Sequence, residues 1–152
     1  MSRKDHMIFR MAYRMAMADG ELSANETLIL HLLGEGLKAT RQELERLRKE
    51  AGDLDWASLP LEFPERRDQM ELFEVACLMA MIDGRSDLQE WGVIMRLCEV
   101  LAIERPEAQA ALARARERMM ALAERHNLLP EIVENIRRAE EEEALDGEEE
   151  KP

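Results

Sequence analysis

Residues Met15–Glu26, M-A-M-A-D-G-E-L-S-A-N-E, return 64 positions later as Met79–Glu90, M-A-M-I-D-G-R-S-D-L-Q-E. An ungapped alignment of Phe9–Leu37 on Phe73–Leu101 has 11 identities in 29 positions, among them Phe9/Phe73, Ala12/Ala76, Asp19/Asp83, Gly20/Gly84 and Glu26/Glu90. A period of this kind means one supersecondary unit used twice, and such a unit does not bury its apolar face by itself. Each copy reads as an apolar helix closing at Asp-Gly, a short turn, and a second helix that opens with a glutamate.

Hydrophobic periodicity fills in the rest as helix. Met7, Ile8, Met11, Ala12, Met15 and Ala16 make one broad apolar face, which predicts a helix over about 3–18. Ser23-x-x-Glu26 and Thr40-x-x-Glu43 have the form of capping boxes, so helices are expected from about Ala24 and over about 41–51. Val75–Ile82 is apolar all round, as a helix in the middle of a bundle should be, and it lies in a helix expected over about 66–82. Asp87-x-x-Glu90 is an acidic variant of the same box, before a helix over about 88–102. Pro106 suits the first turn of a helix over about 106–125, and Ile132, Val133 and Ile136 mark a last one over about 130–143. Between them, Asp53–Glu65 carries Trp56, Leu59, Leu61 and Phe63, so it should pack on the body, although Pro60 and Pro64 exclude a long helix. No segment alternates apolar and polar residues as a strand would. The expectation is an all-α, single-domain helical bundle of about seven helices over residues 1–138, with an acidic, disordered tail at 139–152.

Charge and composition limit the function. Of the net −12, −7 falls in Ala139–Pro152, where eight acids face only Lys151; this leaves −5 for Met1–Arg138. Phosphate backbones repel such a body, and no basic stripe with interleaved aromatics compensates, so nucleic acid is not an expected partner. The longest apolar run has 8 residues, against roughly 20 for a membrane span, and no signal segment opens the chain. A soluble protein, at most peripheral to a membrane, is expected. Cys77 and Cys98 lie in apolar helical patterns without ligand spacing, which fits reduced thiols in the cytoplasm. The Met7, Met11, Met15 series reads as core filler, His6, His31 and His126 as surface or cap residues, and Arg114, Arg116 and Arg118 as a solvated face or a dock for an acidic partner or the chain's own tail. There is no phosphate-binding glycine loop, nucleophile elbow or Ser/His/Asp set with meaningful spacing, so no enzyme is expected.

The paired Asp-Gly corners carry whatever chemistry remains. An acid at a helix C-terminus opposes the macrodipole, so Asp19 and Asp83 stand in locally poor places. One reading has each aspartate accept backbone N–H groups across its turn while Glu26 and Glu90 close capping boxes. The other has Asp19, Glu26, Asp83 and Glu90 brought together by pseudo-twofold packing, where their repulsion would be relieved by a hard divalent cation, Ca²⁺, Mg²⁺ or Mn²⁺. An EF-hand does not fit, because Ala24 and Leu30 stand where its glycine and bidentate glutamate belong.

The twice-used pattern of a small apolar helix end, Asp-Gly, and an acid six residues after the glycine resembles the TerB-like domain. That is the all-helical tellurite-resistance family, similar also to the N-terminal module of certain membrane-anchored DnaJ-type co-chaperones. The resemblance covers about Phe9–Ile103. It implies a bundle of two helix-pair repeats, a cation-binding role for acids at Asp19, Glu26, Asp83 and Glu90, protein partners, and a place in stress-response complexes near the inner face of a bacterial membrane. Two departures stand out: Arg85-Ser86 replaces Glu21-Leu22 in the second copy, and no His-Pro-Asp tripeptide is present.

Overall fold

The computed structural model describes residues 2–17, 20, 22–82 and 88–125, with the backbone alone at 88–90 and 123. Among them are seven α-helices and no strand: α1 (Arg3–Ala16), α2 (Ala24–Gly36), α3 (Arg41–Ala51), α4 (Leu59–Glu62), α5 (Arg66–Met81), α6 (Leu88–Val100) and α7 (Arg105–Arg125). The helix expected over 130–143, the tail and the boundary between them lie outside the described residues.

Local chemistry sets where the helices begin. At Ser23 the hydroxyl accepts the Glu26 N–H at 3.1 Å while the Glu26 carboxylate accepts the Ser23 N–H at 3.1 Å, so two orphan donors are satisfied reciprocally. Thr40 and Glu43 repeat the arrangement for α3, as expected. Ser2 and Asp5 do the same for α1.

The helix ends show that the repeat extends to the backbone. In the first copy the Ala39 N–H bonds the Gly34 carbonyl and the Lys38 N–H bonds that of Glu35; in the second, Ile103 bonds Cys98 and Ala102 bonds Glu99. Both are Schellman closures, and each needs a left-handed residue. It is Lys38 (φ 56°) in one copy and Ala102 (φ 50°), 64 positions on, in the other. Neither is glycine. The left-handed region costs an L-residue roughly 1–2 kcal/mol, and glycine's freer unfolded state returns only part of that. Ala102→Gly should therefore stabilise the fold by about 0.5–1 kcal/mol, seen as a higher urea midpoint with unchanged slope. A fall in the midpoint would show that the turn depends on the methyl group.

Side-chain contacts give the directions of the helices. Lys4 meets Asp68 at 3.4 Å and Glu71 at 2.8 Å, and the Arg3 guanidinium lies over the Phe63 ring, so α1 and α5 start together. His6 faces Glu43, while Arg10 and Arg14 donate to the carbonyls of Glu50 and Gly52, so α3 runs parallel to α1. Arg66 pairs with Glu107, and Glu74 with Arg114 and Arg118, so α7 runs parallel to α5. Four helices therefore point one way and α2 and α6 return. Since α1 and α5 pack side by side, they finish at the same end of the bundle.

The core lies along α1 and α5. Phe9, Met11, Ala12, Met15 and Ala16 from one, and Leu72, Phe73, Ala76 and Cys77 from the other, have no more than traces of exposed surface. The run Val75–Ile82 is buried throughout, as an all-round apolar helix must be. The linking segment packs through three of the four large apolar residues expected to hold it: Trp56, Leu59 and Phe63 are buried, Leu61 points to solvent, and Pro60 falls in the first turn of α4, where its missing N–H costs nothing. Gln69 holds the segment by donating to the Phe63 carbonyl at 2.9 Å. Arg66 clamps the next junction, donating to the carbonyls of Leu101 and Ala102 and to both oxygens of Glu107. That guanidinium holds the Glu107 carboxyl below the usual carboxylate range.

Candidate functional site

The first Asp-Gly corner is built from the end of α1 and the start of α2. α1 ends at Ala16, two residues before the expected end, with Met17 as its cap, and the Gly20 N–H donates to the Met17 carbonyl at 2.9 Å. Gly20 has φ +89°, a conformation that other residues adopt at a cost, and a Cβ there would meet nothing within 4 Å; the glycine is required by its backbone and not by crowding. Ser23 then caps α2, and its carbonyl accepts from both the N–H and the hydroxyl of Thr27.

What distinguishes this corner is the position of Glu26. The three boxes use the same pair of hydrogen bonds, but Asp5 and Glu43 sit half-buried at the surface, whereas Glu26 retains 1% of its exposure. A capping box works in water and requires no burial. An ionised carboxylate taken out of water must be compensated by hydrogen bonds or by opposite charge. Asp19, Asp83 and the side chain of Glu90 lie outside the described residues, so the structure places one of the four expected site acids. Among the described residues no three His, Cys, Asp or Glu side chains are grouped to hold a metal.

Elsewhere, the other candidates resolve into structural roles. Met7, Met11 and Met15 are core. His31 pairs with Glu35 one turn on, on the exposed side of α2. His126 lies outside the described residues. Cys77 and Cys98 are free thiols. Burial pushes the Cys77 thiol far above its ordinary range, and that of Cys98 in the same direction, which makes both poor nucleophiles near neutrality.

One polar cluster has no counterpart in the sequence reading. Glu74, with 9% of its surface exposed, receives Arg118 Nη1 at 3.0 Å and Arg114 Nε at 3.4 Å. Two of the three arginines expected to face solvent or a partner therefore bind α7 to the central helix. The signal was an isolated acid directly before an eight-residue apolar run, matched by arginines at i and i+4 on another helix. Compared with models of protein families, with curated proteins and with solved structures, the chain matches none.

Proposed function

We propose that the chain is a non-enzymatic TerB-like module of a bacterial stress response of the tellurite or envelope type. In this reading it binds a divalent cation, Ca²⁺, Mg²⁺ or Mn²⁺, through Asp19, Glu26, Asp83 and Glu90 where the two corners converge. The observation that carries it is the burial of the Glu26 carboxylate in a motif that needs none. The side-by-side start of α1 and α5 supports it, because two parallel helices of similar length finish at the same end of the bundle. Its setting would be the cytoplasmic face of the membrane, with a protein partner that reads the loaded state.

A second reading is favoured by the reciprocal bonds between Ser23 and Glu26 at 3.1 Å, which are complete without any ion. There the acids are caps alone, and the bundle is an adaptor or scaffold for another protein. Glu26→Gln separates the two, because glutamine serves a capping box as glutamate does but brings no charge to a hard cation. Thermal unfolding is followed in chelator and then with each ion in excess. Binding to the folded state alone at 100 times Kd adds about 2.7 kcal/mol. The cation reading expects that gain for one ion in the wild type and its loss in Glu26→Gln, with equal stability of the two proteins in chelator. No gain with any ion would leave the adaptor reading.

A further inference from the structure

We draw no further inference here: the strongest candidate, the apolar surface that the side chains of Leu61 on α4 and Met95 on α6 leave exposed, carries no proposal because nothing in the structure shows what covers it.

Discussion

Phe73→Ala should lower the free energy of unfolding by about 3–5 kcal/mol, the range for removing a fully enclosed ring whose site cannot collapse. Phe73 has no exposed surface, lies on the central helix, and belongs to the cluster that joins α1, α5 and α7. A domain of this size has a total stability of roughly 5–15 kcal/mol, so the substitution removes about a fifth of it or more. The urea midpoint should fall steeply with little change in slope. Leu61→Ala is the matched control: Leu61 is 86% exposed, and its loss should change stability by no more than about 0.5 kcal/mol. If the two variants fell by similar amounts, the assignment of α5 as the enclosed spine would be wrong.

The second large effect runs in the opposite direction of volume. Ala12 and Ala76 occupy equivalent places in the two copies, and neither exposes any surface. Three added carbon atoms have no space there, so Ala76→Leu should cost about 1–3 kcal/mol by forcing side chains off their rotamers or the helices apart. Ala12→Leu should cost a similar amount. Calorimetry of the two single variants checks this. An unchanged or raised melting temperature would mean that the structure has a void at these positions.

Much of the architecture can be read in the sequence because its causes are local. The Ser23/Glu26 and Thr40/Glu43 boxes need only four consecutive residues, and both form as written. The apolar run of α5 is buried throughout, because a helix with no polar face has no alternative. The left-handed closures at Lys38 and Ala102 were not legible: no glycine marks them, and hydrogen bonds from residues 39 and 103 back into the helices impose them instead. The pairing of Glu74 with Arg114 and Arg118 joins positions 40 and 44 apart, and periodicity cannot select partners over that distance. Glu26 shows the division within one residue. Its bonds follow from spacing, but its burial is decided by what the rest of the bundle lays over it.

The contact between Lys4 and Asp68 has a meaning beyond its modest strength. Both are about a third exposed, so solvent screens the pair and it adds little to stability. Yet these residues stand 64 positions apart, the spacing of the repeat, and meet each other across α1 and α5. If a first copy paired with the first copy of another molecule, lysine would face lysine, and two second copies would set aspartate against aspartate. Opposite signs at this one position allow the cognate match and penalise both mismatches. Charge at this one contact thereby tells the duplicated halves apart.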